Sequence, residues 1–148
     1  MKVFIDADGC PVVKSAVKIC KENHIPCIIV CDTSHIFDSN DAQIITVSKG
    51  ADSVDFAIVN TAQKGDVVIT QDYGLAAMCL AKEMVPINQN GMIYNDDNIT
   101  SLLNARYTAQ KIRMAGGRQK GPSKRNAKQN QNFEVSFRQL IQNSSSTQ

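Results

Sequence analysis

No apolar run in this chain approaches the roughly 20 residues that a membrane-spanning helix needs, so no membrane partner is expected. Tryptophan is absent, and aromatic residues make up only 5% of the 148 positions. Histidine occurs twice, at His24 and His35, and neither has neighbours that mark it as a catalytic base. Cysteine occurs five times, at Cys10, Cys20, Cys27, Cys31 and Cys79, an odd number whose spacing matches no zinc pattern. Reduced, mostly buried thiols are the reading. Cys10 is the exception, because it stands where a helix should begin and a thiol there can be acidified. Packing is still the favoured role for it. Strand-like sequence begins at Lys2, which leaves no room for a signal peptide and gives a cytoplasmic location as the expectation.

Negative charge is missing from one region. Between Asn98 and Phe133 there is no acidic residue. Residues 1–97 hold 13 acidic and 7 basic side chains, whereas residues 98–148 hold 1 and 9. The formal net charge of +2 therefore hides an acidic body and a basic C-terminal third. Such a division suggests an acidic site beside a basic accessory surface.

What the chain does contain is a series of buried strands alternating with helical patterns. Val3, Phe4 and Ile5 form a short apolar run without polar alternation, as in the middle of a parallel sheet. Asp6 and Asp8 follow where that strand should end. Gly9 gives a turn, and Cys10 and Pro11 then suit the start of a helix. Its inner face is Val12, Val13, Ala16, Val17 and Cys20, and it ends near Asn23–His24. Strands are predicted at 27–31, 43–47 and 66–70, with a polar loop over 32–41. A helix from Ser53 to Lys64 should turn Val54, Ala57, Ile58, Thr61 and Ala62 inward, and another covers 75–84. Short strands at 85–88 and 92–94 flank an Asn-Gly turn. Asp96, Asp97 or Asn98 should cap a helix that Gly116-Gly117 stops. The expected organisation is one domain over 1–148. It carries a basic, partly mobile segment at 116–132, a short helix at 133–142 and a disordered tail at 143–148.

This alternation predicts a three-layer α/β fold with a mainly parallel sheet of four or five strands. Ligands of such sheets gather at the carboxyl ends of the strands. Asp6 and Asp72 each lie just past a buried strand, and Asp55 lies one turn into a helix entered from the same edge. Asp6, Asp8, Asp55 and Asp72 can therefore converge, with Asp52 either a further ligand or a helix cap. Four carboxylates together repel unless a cation neutralises them. Hard oxygen donors in that number suit Mg²⁺ or Mn²⁺, which bind phosphate oxygens and activate water. Lys14 and Lys49 are near enough in sequence to contact phosphate, although a solvated lysine is the blander reading of each. The segment 106–128 is expected to bind polyanions: it holds Arg106, Lys111 and Arg113, followed by the run Arg118, Lys120, Lys124, Arg125 and Lys128.

The stretches DADGCPVV, GADSVDFAIV and GDVVITQDYGLAA, the Asn88…Tyr94…Asn98-Ile99 segment and Gly121-Pro122 before a Phe-containing helix resemble the YaiI/YqxD family over nearly the whole chain. The resemblance implies a PIN-like fold and a nuclease-like acidic site at Asp6, Asp8, Asp55 and Asp72. Gly9 stands where that family usually has Ala, and the acid-Arg pair usual before the final helix is missing. RNA is favoured over DNA as partner, although no RRM, KH or helix-turn-helix signature is present. No pattern in the chain specifies an oligomeric state.

Two rivals remain. One is a nucleic-acid-binding protein whose acidic site is inactive. The other is a haloacid-dehalogenase-like phosphatase, with Asp6 as nucleophile, Asp8 as general acid and Thr33 or Ser34 as the hydroxyl residue. Asp66 weighs against the phosphatase, because it precedes its strand instead of following it.

Overall fold

The chain runs β1 (Val3–Asp6), α1 (Val13–Glu22), β2 (Cys27–Asp32), β3 (Gln43–Val47), α2 (Ser53–Thr61), β4 (Val67–Ile69), α3 (Tyr73–Ala81), β5 (Val85–Ile87), α4 (Asp96–Met114) and α5 (Ala127–Ser146). These elements come from a computed structural model that describes residues 1–34, 37, 39–50, 52–117 and 124–146, the last two by backbone alone. The strands form one sheet in the order β3-β2-β1-β4-β5, and all four pairings are parallel. The expected three-layer α/β architecture is found, with β1 at the centre.

Why β1 is central follows from its residues. Val3, Phe4 and Ile5 are at most 1% exposed, which requires cover on both faces of the sheet. Side chains alternate between those faces. Val3, Ile5, Ile29, Val67 and Ile69 pack under α1 and α5, beside Ala16, Cys20, Phe133 and Phe137. Phe4, Ile28, Val30 and Val68 pack under α2 and α3, beside Val54, Ile58, Leu75 and Cys79. The helix α4 rests on α3 through Ile99, Leu102 and Leu103, which meet Ala76 and Tyr94. By the same alternation Asp6 leaves β1 on the α2–α3 face.

The strand order also sets where a site can form. The chain moves outward from β1 to β3 and then returns to β4, on the other side of β1. The strand order thus reverses between β1 and β4. The crevice outside their carboxyl ends is where open α/β sheets bind ligands.

Several boundaries differ from the sequence reading, each for a local reason. The first helix starts at Val13, and Cys10 and Pro11 lie in the turns before it, where the Cys10 amide donates to the Ala7 carbonyl. Helix α2 stops at Thr61, leaving that side chain exposed instead of facing the core. Helix α4 is capped by Asn95, not by Asp96, Asp97 or Asn98. Asn95 and Asn98 exchange side-chain bonds with each other's backbone amides at 2.8 and 2.9 Å. Asp96 and Asp97 instead sit in the first turn, where they favour the positive helix end.

The largest difference is at the C-terminus. Helix α5 spans 20 residues, so it takes in 127–132 from the segment expected to be mobile and 143–146 from the expected tail. Its start has a signal that is readable in Asn126-Ala-Lys-Gln129. The Asn126 amide donates to Gln129 Oε1 at 2.9 Å, and the Gln129 amide donates to Asn126 Oδ1 at 3.0 Å. Residues 118–123, and with them Arg118, Lys120 and Gly121-Pro122, lie outside the described residues.

Candidate active site

A cavity of about 620 Å³ opens at the carboxyl edge of the sheet, over the crevice between β1 and β4. Asp6, Asp8, Asp52, Asp55 and Asp72 all line it, so the structure brings the five predicted acidic residues together. Each arrives by a different route. Asp6 is the last residue of β1 and Asp8 lies in the turn after it. Asp55 is in the first turn of α2, and Asp72 is the N-cap of α3.

Asp6 is held by its neighbour strand. Thr70 follows β4, and its hydroxyl donates to Asp6 Oδ2 at 2.7 Å. The same Oγ1 accepts the Asp72 amide at 3.0 Å, so one hydroxyl ties the two strand ends together. Behind it, the buried Tyr94 hydroxyl donates to the Thr70 carbonyl at 3.1 Å, and burial pushes that phenol's pKa up. Asp72 is fixed through its cap: Oδ1 accepts the amides of Gly74 at 2.8 Å and Leu75 at 3.2 Å. A Cβ on Gly74 would stand 3.2 Å from that oxygen, which explains a glycine in the first turn.

The electrostatics are those of crowded acids. Burial raises the Asp6 carboxyl to about 6; the Thr70 bond opposes this, and the charges of Asp72 and Asp8 add to it. Asp55 is raised to about 7, first by burial, then by the charges of Asp72, Asp6 and Asp52 and by a hydrogen bond with the Asp72 side chain. Like charges that share a site favour the protonated form of one partner. Asp52 precedes α2 in a left-handed conformation, φ 64°, and its side chain makes no capping bond. Its alternative role as a helix cap by side chain is therefore not the observed one.

One lining residue escapes the sequence reading, and another, Arg106, is expected in a polyanion-binding segment but not at this cavity. Asp32 ends β2 and accepts the Ser34 amide at 2.8 Å and the Ser34 hydroxyl. Its signal is present in the sequence, because it follows a buried strand as Asp6 does, but the polar run it opens reads as loop. Arg106, from α4, also lines the cavity, and only tertiary packing of α4 on α3 brings it there.

The other predicted residues are placed apart. Lys14 is exposed on α1 and lines a separate cavity of about 680 Å³ with Lys18, Lys21 and Phe37. Lys49 is exposed in the loop before α2, next to Gly50 of the acidic cavity. Lys124 is exposed before α5, and Lys128 is exposed in its first turn. Arg125 is half-buried, and its guanidinium donates to Asn130 Oδ1, Asn90 Oδ1 and the Gln89 carbonyl at 2.6–2.7 Å. The acidified Cys10 is corrected: the thiol does not sit at the helix start, and burial raises its pKa.

Among the described residues, no group of three or more His, Cys, Asp or Glu is arranged to hold a metal ion. A hydrated divalent cation asks for less. Mg²⁺ keeps several waters and is held by one or two carboxylates. The proton affinities of Asp6 and Asp55, raised by burial and by neighbouring carboxylates, mark a donor set that a cation would relieve. The residues present fit a hydrated Mg²⁺ or Mn²⁺, and they do not form a closed cage.

Comparison with known proteins agrees with the sequence resemblance. A family model described as the uncharacterized YaiI/YqxD family matches residues 4–143. A UPF0178 protein of Exiguobacterium sibiricum is 48% identical over 141 residues, 95% of this chain and 96% of that one. A UPF0178 protein of Clostridium acetobutylicum is 46% identical over 143 residues, covering 95% and 97%. One from Clostridium kluyveri is 43% identical over 143 residues, covering 97% and 94%. No solved structure matches the chain. The matches run through the acidic edge and both C-terminal helices, and the chain belongs to the YaiI/YqxD family.

Proposed function

We propose that the protein hydrolyses phosphodiester bonds of single-stranded nucleic acid, RNA before DNA, with a PIN-like acidic site that works with Mg²⁺ or Mn²⁺. One observation carries the reading. Asp6, Asp55 and Asp72 meet at the point where the strand order reverses, with Arg106 on the wall of the same cavity. Asp6, Asp55 and Asp72 would hold the cation, with Asp8 and Asp52 beside them. When bound, it supplies a water of lowered pKa and neutralises charge on the phosphate.

The chain's own groups do the positioning. Thr70 orients Asp6, and the α3 amides orient Asp72, so neither carboxylate needs to reorganise as substrate arrives. Arg106 supplies a planar donor for a phosphate oxygen. Beyond it on α4, Lys111 and Arg113 continue the positive charge along an exposed helix surface. Asp66 has a different task. Its two oxygens accept the Lys2 and Gln63 amides at 2.9 and 2.8 Å, at the amino end of β4. That commitment favours the nuclease over a phosphatase that would use Asp66. The open arrangement of the carboxylates favours a second reading, a nucleic-acid-binding protein with an inactive site.

Cleavage of short single-stranded RNA and DNA, with Mn²⁺ and with EDTA, tests the proposal. Asp6→Asn keeps the shape and removes the charge. Turnover should fall by about 100-fold or more, the scale of losing a group that stabilises transition-state charge, while the fold survives. Equal cleavage by both proteins, or cleavage that EDTA leaves intact, would sink the metal-dependent nuclease. Binding without turnover would establish the second reading.

A further inference from the structure

A smaller cavity of about 320 Å³ adjoins the acidic one. Gln71 lines both. The remaining wall is dominated by amides: Gln89 and Asn90 come from the turn after β5, and Gln129 comes from the first turn of α5. Arg125, Pro11 and the Gly9 backbone complete it.

The wall is held by hydrogen bonds. Gln71 Nε2 donates to the Gly9 carbonyl at 2.9 Å, which ties the β4–α3 loop to the turn that carries Asp8. Asn88 Oδ1 accepts the amides of Asn90 and Met92 at 2.9 and 2.8 Å and so shapes the β5 turn. Arg125 ties that turn to the start of α5. Gly91, at φ 89°, lets the two approach: a Cβ there would stand 2.6 Å from the Asn132 carbonyl oxygen. Three distant segments are thus stapled around one small polar space.

Side-chain amides offer a donor and an acceptor on one plane, the geometry that pairs with the edge of a nucleobase. Sequence-specific RNA binding works in this way, on unpaired bases splayed from the strand. We infer that this amide-lined cavity receives the unpaired base of the nucleotide next to the phosphate held at the acidic cavity. Gln71 and Asn90 are its reading residues: the Gly9 carbonyl holds Gln71 Nε2 and Arg125 holds Asn90 Oδ1, so Gln71 Oε1 is the acceptor and Asn90 Nδ2 the donor offered to a base. The inference rests on the nucleic-acid reading above and adds base recognition beside the acidic cavity, with the C-terminal basic third closing the wall through Arg125 and Gln129. Arg125 would then be a positioning residue, since its donors already hold Asn90, Asn130 and the Gln89 carbonyl.

The experiment measures affinity by fluorescence anisotropy for six-nucleotide single-stranded RNAs of each base. An abasic oligomer of equal length and charge serves as the reference. Wild type should bind at least one base-bearing oligomer about tenfold more tightly than the abasic one, the scale of one good amide–base pair. Asn90→Ala and, separately, Gln71→Ala should bring the ratio of base-bearing to abasic affinity down to about one, whatever each does to abasic binding itself. Thermal melts show that each variant is folded, and Gln71→Ala keeps the test open if the Asn90 variant is not. Equal affinity of wild type for base-bearing and abasic oligomers overturns the inference while the phosphate-binding reading stands. A preference that survives both substitutions also overturns it. Binding of neither oligomer overturns the inference and the nucleic-acid reading together.

Discussion

Helices α4 and α5 are 19 and 20 residues long, and both lie in the basic third of the chain, yet they belong to the fold in opposite ways. Helix α5 buries Phe133, Phe137 and Ile141 to 1% exposure or less. Those positions are four apart, so they form one stripe, and the two rings stack with centroids 5.2 Å apart. Two bonds also join α5 to α1: Ser15 Oγ to Glu134 Oε1 at 3.0 Å, and Arg138 to Glu22 at 2.7 Å. Helix α4 buries only Ile99. From Asn104 to Met114 every residue except Ala109 is exposed, including Tyr107 at 58% and Met114 at 80%. The comparison teaches that the persistence of an apolar stripe, not basic composition, decides which helix docks. In α4 the stripe ends at Leu103, and the helix continues past the body it rests on.

Cutting the α5 stripe should show the largest effect. Phe137→Ala should cost roughly 3–5 kcal/mol in a urea or thermal melt, the range for an emptied aromatic site in a core. Tyr107→Ala on α4 should change stability by no more than about 0.5 kcal/mol. Comparable losses at the two sites would break the comparison, because they would mean that the outer half of α4 is packed against something.

That contrast also shows what can be read from the chain alone. Strands and their order of burial are legible, because Val3–Ile5, Cys27–Cys31 and Val67–Ile69 are apolar on both faces. The acidic edge is legible for the same reason: a carboxylate that follows such a strand has to emerge at its carboxyl end. Asp32 obeys that rule as well, yet the polar run behind it hides it in a loop. Arg106 is legible as the start of a basic segment, but its place at the acidic cavity is not, because that depends on how α4 packs across α3. Arg125 looks like one more surface cation, and no local pattern announces that its partners lie 35 and 36 residues away. The start of α5 is obscured for a different reason. A Gly-, Asn- and Gln-rich composition outweighs a capping pair that is visible at Asn126 and Gln129.

The acidic edge and the basic arm should also respond differently to pH. Asp6 and Asp55 have raised proton affinities in the folded state, about 6 and 7. Between roughly pH 4 and pH 7 the native protein therefore binds more protons than the unfolded chain. Without divalent cations, stability should be greatest at the acidic end of this window and fall as pH rises through it. Asp6, raised from an ordinary 3.8 to about 6, should contribute about 2 kcal/mol of that fall after a discount for solvent screening. Asp6→Asn should flatten the profile, whereas Arg113→Ala, on an exposed helix turn, should leave its shape alone. Denaturation midpoints across the window in EDTA check this. A profile that Asp6→Asn leaves as steep as wild type would place the proton uptake at another group.

The smallest effect concerns the outer half of α4, where nothing is at stake for the fold and the question is whether its charge is used. Arg106 lines the acidic cavity, and Lys111 and Arg113 lie one to two turns further along the same exposed helix. Lys111 stands 4.9 Å from the centre of the Tyr107 ring, so a cation and an aromatic face are presented together, as single-strand binding surfaces require. If these groups meet phosphates, each contact removed should flatten the slope of log affinity against log salt by about 0.7 on single strands. The double substitution Lys111→Ala, Arg113→Ala should thus lower the slope by somewhat more than about 1. Its melting temperature should stay within a few degrees of wild type, because two exposed side chains are lost. Exchanging Phe137 changes stability and exchanging these cations changes salt dependence, so neither result stands in for the other. A slope that the double substitution leaves unchanged would make the outer half of α4 a solvated surface and confine phosphate binding to Arg106 and the acidic cavity.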